Sequence, residues 1–191
     1  MTTHAMPEGP EWFGHPRGLF VCFATEMWER FSYYGMKYLL VLFLVQHHLF
    51  TDGEALRILG AYAALVYAMP LLGGIVSDRF LGQTKAIKLG GVLLVLGHCA
   101  MAFEGAPASQ VISGEIVRDD QAITVFYFAL ALIIVGVGLL KPNISTLVGR
   151  LYGENDPRRD GGFTIFYMGI NIGAASASLL CGWLASAYGW A

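Results

Sequence analysis

Five long apolar stretches, separated by short polar segments, dominate the pattern of the chain. Each is long enough for a helix that crosses about 30 Å of hydrocarbon, which takes roughly 20 residues. Transmembrane β-strands would instead show alternating segments of about ten residues. The pattern therefore predicts an all-α, polytopic membrane protein with five transmembrane helices, at Gly18–Gln46, Ala55–Val76, Lys85–Phe103, Ala122–Leu147 and Gly162–Ala187.

The composition agrees with a membrane protein. Of 191 residues, 55% are hydrophobic and 14% are charged, whereas soluble domains are about 25% charged. No basic segment precedes a short apolar stretch with a small-residue cleavage site, so we predict that the first span is retained and is not a signal peptide. The 24 glycines favour close packing of helices, because small side chains let backbones approach each other in a membrane.

The basic residues of the connecting segments orient the bundle. With the amino terminus in the cytoplasm, seven basic residues fall inside and two outside, in agreement with the positive-inside rule. The inside set is Arg17, Arg79, Lys85, Lys88, Arg150, Arg158 and Arg159, and the outside set is Arg57 and Arg118. We therefore predict a multi-pass protein of the cytoplasmic (inner) cell membrane, with residues 1–17 as a cytoplasmic segment.

Five charged residues lie within the apolar stretches, away from the first turn at either end: Glu26, Glu29, Arg30, Lys37 and Lys141. A charge near the bilayer centre costs about 2.5–3.5 kcal/mol on insertion scales. Charges in such positions face a partner or a water-filled cavity, and they mark substrate and ion pathways. The pattern favours a transport function.

The polar residues of the first span lie along one surface. At 100° per residue they form a stripe about 60° wide with two flanking members. The stripe is Glu26, Arg30, Tyr33 and Lys37, flanked by Glu29 and Tyr34. The i, i+4 spacing predicts a pair between Glu26 and Arg30, and Glu29 shares Arg30 only if partners on another helix bend the geometry.

Two carboxylates beside one guanidinium cannot both be compensated. We therefore predict that either Glu26 or Glu29 binds a proton near neutral pH and exchanges it for contact with Arg30 as the protein changes shape. The alternative is a static salt-bridge cluster that holds helices in register.

Lys141 lies in the middle of the fourth span, next to Pro142 and Asn143. Proline frees a backbone carbonyl one turn earlier, so we expect a kink beside a buried cation, with Asn143 helping to satisfy the backbone. Together with Lys37, Lys141 would attract a carboxylate, while tyrosines supply hydrogen bonds and apolar faces. These features indicate a small, polar substrate that carries a carboxylate.

A tight turn at residues 74–85 connects the second and third spans. Asp78 is placed to meet a helix N-terminus or a basic residue, in a contact that breaks as the cytoplasmic ends separate. Gly82 supplies the positive φ that a short turn requires, and Thr84 is the expected N-cap of the third helix. Ordinary turn chemistry is the alternative. The residues of this candidate gating loop are Gly74, Asp78, Arg79, Gly82 and Lys85.

The cysteines and histidines of the apolar stretches indicate no redox or metal-binding role. Cys22, Cys99 and Cys181 lie far apart in apolar segments and are interpreted as packing residues, and His47 and His48 as interfacial residues at the end of the first span. The spans hold no metal-ligand cluster, nucleophile–base pair or phosphate loop, and no basic patch indicates nucleic acid. We therefore predict that the protein is not an enzyme and binds no metal, cofactor or nucleic acid.

Two motifs resemble signatures of a known family. Residues 26–35 read E-x-x-E-R-F-x-Y-Y-G, and residues 166–173 read F-Y-M-G-I-N-I-G. From about Pro10 to its end the chain resembles the proton-dependent oligopeptide transporters of the major facilitator superfamily, and the turn at 74–85 resembles that superfamily's motif between helices two and three. The resemblance implies that residues 18–191 form helices one to five of an N-terminal six-helix bundle, with the C-terminal half absent from this chain.

The family resemblance also implies a function. It implies a symporter that imports di- and tripeptides by alternating access and uses the proton gradient as its energy source. Its partners would be the peptide, protons, the lipid bilayer and the missing C-terminal half. Glu26, Glu29 and Arg30 would couple proton movement to peptide binding. The peptide-binding positions by resemblance are Tyr33, Tyr34, Lys37, Tyr67, Lys141, Tyr167 and Asn171.

Two positions depart from the family pattern. Lys37 stands where arginine is usual, which keeps the charge but loses the planar fork that binds a carboxylate bidentately. Gly60 stands where animal members carry a histidine, so the chain resembles bacterial members and leaves more of the coupling to the glutamates.

Two other functions stay open. The first is transport of nitrate, an amino acid or another small anion on the same scaffold, although the intact set of Glu26, Glu29 and Arg30 favours proton coupling. The second is a non-transporting membrane scaffold or receptor, whose buried charges only fix the register of its helices.

Overall fold

Five long helices make up most of the computed structural model, which describes residues 9–188. They are α1 (Arg17–Gln46), α2 (Asp52–Val76), α3 (Gln83–Met101), α4 (Asp120–Arg150) and α5 (Arg159–Tyr188). Each predicted span coincides with one of these helices to within three residues at either end, so the predicted helical bundle is confirmed. Residues 1–8 of the predicted cytoplasmic segment and residues 189–191 of the predicted bundle lie outside the described residues.

Two short hairpins and a π-helical turn complete the described part of the chain. The first hairpin pairs β1 (Glu11–Trp12) with β2 (His15–Pro16), antiparallel, just before α1. The second pairs β3 (Ser109–Gln110) with β4 (Ile116–Val117) in the connection between α3 and α4. The π-helical turn, Ser77–Leu81, continues α2 without a break.

Local signals in the sequence set the helix ends. Thr51 and Glu54 form a reciprocal capping box at the start of α2, and the Asp119 carboxylate accepts hydrogen bonds from two backbone amides at the start of α4. Gly82 adopts the predicted positive φ, at 73°. The prediction that Thr84 caps α3 is wrong, because Gly82 is the N-cap and the helix begins at Gln83.

Four of the described helices, α2 to α5, are long and apolar enough to cross a membrane. With 30 residues, α1 has the same length as α5, but Glu26, Glu29 and Arg30 interrupt its apolar surface. These charges are buried against neighbouring helices, as their cost in a bilayer requires.

The central helix is α4, which packs along both α2 and α3, while α1 packs along α5. In the apolar part of α4, 56% of the residues are buried, against 17–22% in α2, α3 and α5. The outer faces of those three helices are apolar and exposed, which suits contact with lipid or further helices. Any polar residue on the inner face of α4 therefore lies within the bundle.

Glycines allow the closest helix contacts. A Cβ at Gly90 of α3 would lie 2.7 Å from the carbonyl oxygen of Gly136 on α4, closer than a carbon and an oxygen can approach. Only a glycine lets the two backbones come this near. The packing role predicted for the glycines is confirmed here.

Candidate functional site

A cluster of four charged side chains joins α1 to α4 inside the bundle. Glu26, Glu29 and Arg30 lie on α1 and are only 1%, 4% and 5% exposed. Lys141 of α4 reaches the same point and is partly buried, with 30% of its side chain exposed. The structure therefore brings together all three residues predicted for proton coupling and the lysine predicted to bind a carboxylate.

The arginine of this cluster binds Glu29 rather than Glu26. Arg30 donates from Nε to Oε2 of Glu29 at 2.5 Å and from Nη2 to Oε1 at 2.6 Å, while its Nε lies 3.8 Å from Oε1 of Glu26. The predicted i, i+4 pair is thus only the looser contact. The planar guanidinium fork matches a carboxylate with two parallel bonds, and Glu29 supplies that geometry.

Lys141, rather than Arg30, forms the close contact with Glu26. Its Nζ donates a 3.2 Å hydrogen bond to Oε1 of Glu26 and lies 3.9 Å from Oε2 of Glu29. Two carboxylates therefore face two cations. The shortage of positive charge expected from α1 alone is offset by this second cation, which comes from another helix.

One oxygen of the cluster has no partner among the described residues. Oε2 of Glu26 is buried and accepts no hydrogen bond from residues 9–188. A buried acceptor without a donor carries a desolvation cost, which a proton bound at this carboxyl would relieve. Of the two glutamates, only Glu26 has a buried oxygen without a hydrogen-bond partner among residues 9–188.

Aromatic side chains line the cluster on the α2 side. The guanidinium of Arg30 stands 4.9 Å from the ring centroid of Tyr33, which is a cation–π geometry. Tyr33 stacks on Tyr62 of α2 at 6.1 Å and meets Tyr34 edge-on at 5.2 Å. The sequence reasoning missed Tyr62, since a single tyrosine in an apolar helix carries no signal and only the stacking across helices reveals it.

Four residues predicted for peptide binding have partly or largely exposed side chains. Tyr67 and Tyr167 are 64% and 57% exposed, and Asn171 is exposed and donates to the backbone oxygen of Tyr167. Lys37 is half-buried, and no carboxylate of residues 9–188 pairs with it. These side chains are available to a ligand, but the structure does not bring Tyr167 or Asn171 against the charged cluster.

A buried hydrogen-bond chain links α4 to the turn after α2. Asn143 donates from Nδ2 to the backbone oxygen of Leu139 at 2.7 Å, whereas the carbonyl that Pro142 leaves without its helical donor is that of Gly138. Oδ1 of Asn143 accepts a 2.6 Å hydrogen bond from Ser77, the first residue of the π-helical turn. The contact between Ser77 and Asn143 was not apparent from the sequence.

Ser77 lies within the candidate gating loop, residues 74–85. Gly74 lies against Pro142, where an added Cβ would meet the proline Cβ at 3.9 Å. Asp78, Arg79 and Lys85 are exposed, and neither Asp78 nor Arg79 forms an ion pair within the described part of the chain. The loop's gating role thus stays a prediction. Within residues 9–188, no group of three or more His, Cys, Asp or Glu side chains could hold a metal.

Comparisons with known proteins agree with these observations. The model of the POT family matches residues 84–191. The chain is 44% identical to an uncharacterized transporter of Bacillus subtilis strain 168, over 93% of this chain and 34% of that protein. It is also 44% identical to a di-/tripeptide transporter of Lactococcus lactis strain IL1403, over 89% of this chain and 32% of that protein.

Solved structures show the same fold. A crystal structure of a variant peptide transporter POT in complex with alafosfalin matches with a TM-score of 0.83 and 41% identity, over 94% of this chain and 35% of that chain. The predicted fold class, the N-terminal helical bundle of a major facilitator protein, is confirmed by this match. The chain spans about a third of the length of the relatives that it matches.

Proposed function

Because the chain belongs to the POT family, we propose that it forms the first part of a transporter that imports di- and tripeptides together with protons by alternating access. The observation that carries the proposal is the hydrogen bond between Lys141 and Glu26. It joins a cation suited to a peptide carboxylate directly to a buried carboxyl suited to a proton. Substrate and proton are therefore bound through the same pair of side chains.

The coupling follows from competition for Lys141. When a peptide carboxylate takes the ammonium group, Glu26 keeps only the distant contact with Arg30, 3.8 Å away. A buried carboxylate that loses its cation becomes expensive, and a proton removes that cost. Peptide and proton thus favour each other's binding, which is the thermodynamic requirement for symport. Release of the peptide returns Lys141 to Glu26 and expels the proton.

The pair of Glu29 and Arg30 also contributes to the proposed coupling. Their bidentate pair keeps the guanidinium away from Glu26, so Glu26 depends on Lys141. The electrostatic link from Arg30 to Tyr33 places the aromatic wall beside the pair. We assign Glu26, Glu29 and Arg30 to proton coupling on these contacts.

The peptide pocket is proposed around the same cluster. Lys141 and Lys37 offer positive charge to the peptide carboxylate, and tyrosine rings offer hydrogen bonds and apolar faces to its side chains. Asn171 offers an amide. The remaining part of the transporter supplies the contacts to the peptide amino terminus, and the proposed set is Tyr33, Tyr34, Lys37, Tyr67, Lys141, Tyr167 and Asn171.

The proposed setting is the cytoplasmic membrane. Helices α2 to α5 have the length and composition of membrane spans, and the distribution of basic residues puts the first hairpin and the α4–α5 connection on the cytoplasmic side. On this proposal residues 1–17 are cytoplasmic and residues 18–191 belong to the N-terminal bundle. The transporter is not an enzyme, and a proton gradient supplies its energy without a cofactor.

Uptake of a labelled dipeptide into proteoliposomes tests the proposal. The full-length transporter should accumulate the peptide when the outside is made acidic relative to the inside, and accumulation should stop when a protonophore collapses the gradient. Uptake that ignores the gradient would contradict symport. Nitrate or amino-acid accumulation without any peptide uptake would favour a small-anion transporter on the same scaffold.

A further inference from the structure

A cavity of about 370 Å³ opens between α4 and α5 at the ends that are cytoplasmic on the proposed orientation. It lies apart from the charged cluster. Its wall is formed by four residues of α4, two of the connection and two of α5: Ser145, Thr146, Gly149, Arg150, Tyr152, Glu154, Arg159 and Phe163. With two arginines and one glutamate, the wall of the cavity carries a net positive charge.

Arg159, in the wall of the cavity, packs against both α4 and α5. It is the first residue of α5, and its guanidinium lies 5.9 Å from the ring centroid of Phe163. A Cβ at Gly149 would lie 3.4 Å from its Nη2, so the missing side chain of Gly149 leaves room for the guanidinium to lie on α4. The arginine is therefore positioned from both helices.

This guanidinium has no counter-ion among the described residues. No carboxylate of residues 9–188 lies within 4 Å of Arg159, and its buried Nε donates to no acceptor there. The neighbouring arginine is different, because Arg158 donates to Asp156 and Glu11 at 2.9 and 2.8 Å. A half-buried arginine with free donors is suited to a carboxylate, which it can bind with two parallel hydrogen bonds.

Part of the cavity wall lies on the side of α4 that carries Lys141. Ser145 and Gly149 follow Lys141 at i+4 and i+8 and so lie on the same side of the helix. At 1.5 Å per residue, the arginine lying on Gly149 is about 12 Å from Lys141 along the helix. An extended tripeptide spans about 10 Å, so a shift of about one peptide length carries its carboxylate from one cation to the other.

We propose that Arg159 forms a second, cytoplasmic binding site for the peptide carboxylate, which receives the substrate as it leaves Lys141. This inference rests on the proposed transport function. When Glu26 recovers Lys141, the released carboxylate meets the next uncompensated cation on the same face. Glu154, in the wall of the cavity, repels the carboxylate and keeps the second site weak, so that the peptide departs to the cytoplasm.

Sided exchange measurements test the second site. The full-length transporter is reconstituted in one orientation, and counterflow of a labelled dipeptide is followed without a proton gradient. The half-saturating peptide concentration is then measured separately for each face. In Arg159→Gln it should rise roughly tenfold at the cytoplasmic face, as expected for the loss of a charge-assisted hydrogen bond, and stay unchanged at the outer face.

Three controls separate binding from structure. Arg159→Lys should restore part of the cytoplasmic affinity, because it keeps the charge. Lys88→Gln removes an exposed cytoplasmic charge of α3 outside the cavity and should leave both faces unchanged. A dipeptide with an amidated carboxyl terminus should show no difference between the wild type and Arg159→Gln at the cytoplasmic face.

Other results would overturn the inference. An equal rise at both faces would indicate a structural defect, and an equal rise in Lys88→Gln would indicate a general surface potential. Normal wild-type exchange with an unaltered Arg159→Gln variant would reject the second site alone. A wild-type protein that exchanges no peptide would reject both this site and the transport function.

Discussion

Nζ of Lys141 on α4 lies 3.2 Å from Oε1 of Glu26 on α1. The contact crosses 115 residues of sequence and joins the two helices that carry the charged cluster. Because Glu26 is almost fully buried while Lys141 is partly exposed, a ligand can reach the lysine more easily than the glutamate. The ammonium group is thus the part of the pair that a substrate can compete for.

Replacing Glu26 should separate proton coupling from transport. In Glu26→Gln the side chain keeps its shape but no longer gains or loses a proton, so gradient-driven dipeptide uptake should fall to background while counterflow exchange persists. Uptake and exchange in the same proteoliposomes measure the difference. Glu115→Gln, an exposed change between β3 and β4, should leave both unchanged, and gradient-driven uptake at the wild-type rate in Glu26→Gln would reject the assignment.

Replacing Glu29 should also abolish gradient-driven uptake, but with a larger loss of stability. Glu29→Gln weakens both short hydrogen bonds from Arg30 and leaves a buried guanidinium poorly compensated, which should cost about 1.5–3 kcal/mol. Thermal unfolding in detergent should therefore show a lower melting temperature for Glu29→Gln than for Glu26→Gln. The reverse order would mean that Arg30 relies on Glu26 instead.

Removing the ammonium group of Lys141 should affect substrates according to their carboxylate. Lys141→Ala should weaken binding of an ordinary dipeptide by roughly tenfold or more, as expected for a charge-assisted hydrogen bond, and should affect a carboxyl-amidated dipeptide much less. Competition for labelled peptide uptake measures both affinities. Equal losses for the two peptides would place the carboxylate elsewhere.

Neighbouring glycines of α3 should respond differently to the same substitution. A Cβ at Gly90 would lie 2.7 Å from the Gly136 oxygen and 2.8 Å from the Leu140 nitrogen of α4, whereas a Cβ at Gly91 would meet nothing within 4 Å. Gly90→Ala should therefore push α3 from α4 and lower the melting temperature. Gly91→Ala should leave the melting temperature unchanged or raise it slightly, because alanine favours a helix by about 1 kcal/mol over glycine. Similar effects at both positions would contradict the close contact.

The contact between Asp156 and Arg158 should make stability depend on pH. Hydrogen bonds from Arg158 hold the pKa of Asp156 below its ordinary value of 3.8, so the ionised carboxylate stabilises the fold above that value. The contribution disappears as the pH falls through the lowered pKa. Asp156→Asn should thus melt below the wild type at pH 7, and the gap should close toward the acid end of a pH series. A gap that stays constant would show that the charge of Asp156 is unimportant.

Much of the fold could be predicted from hydrophobic length alone. A stretch of about 20 apolar residues has few alternatives to a membrane helix, and the five predicted spans match the five helices described between residues 9 and 188. Turn chemistry was less reliable. Gly82 was identified by its conformational freedom, but Thr84 was taken for the cap because a hydroxyl before a helix is a common signal, and the chain uses Gly82 instead.

For the candidate site, too, the sequence identifies the residues, but their pairing depends on the structure. Buried charge in an apolar helix identified Glu26, Glu29, Arg30 and Lys141 without any coordinates, because such charges carry a cost that a functional partner must offset. Spacing along one helix then predicted the pair of Glu26 and Arg30, which the structure contains only as the looser contact, at 3.8 Å. Arg30 chooses Glu29 because Lys141 approaches Glu26 from α4, and no pattern within α1 contains that approach.

The sequence by itself determined which segments become helices and which charges need partners, since these follow from local hydrophobicity and the energetics of burial. The tertiary structure alone decided which residue pairs with which charge. Distances of 2.5–3.9 Å among Glu26, Glu29, Arg30 and Lys141 depend on how α4 packs against α1, and an electrostatic interaction in a low dielectric depends steeply on such distances. The same is true of Arg159, whose lack of a counter-ion within residues 9–188 is a property of helix packing.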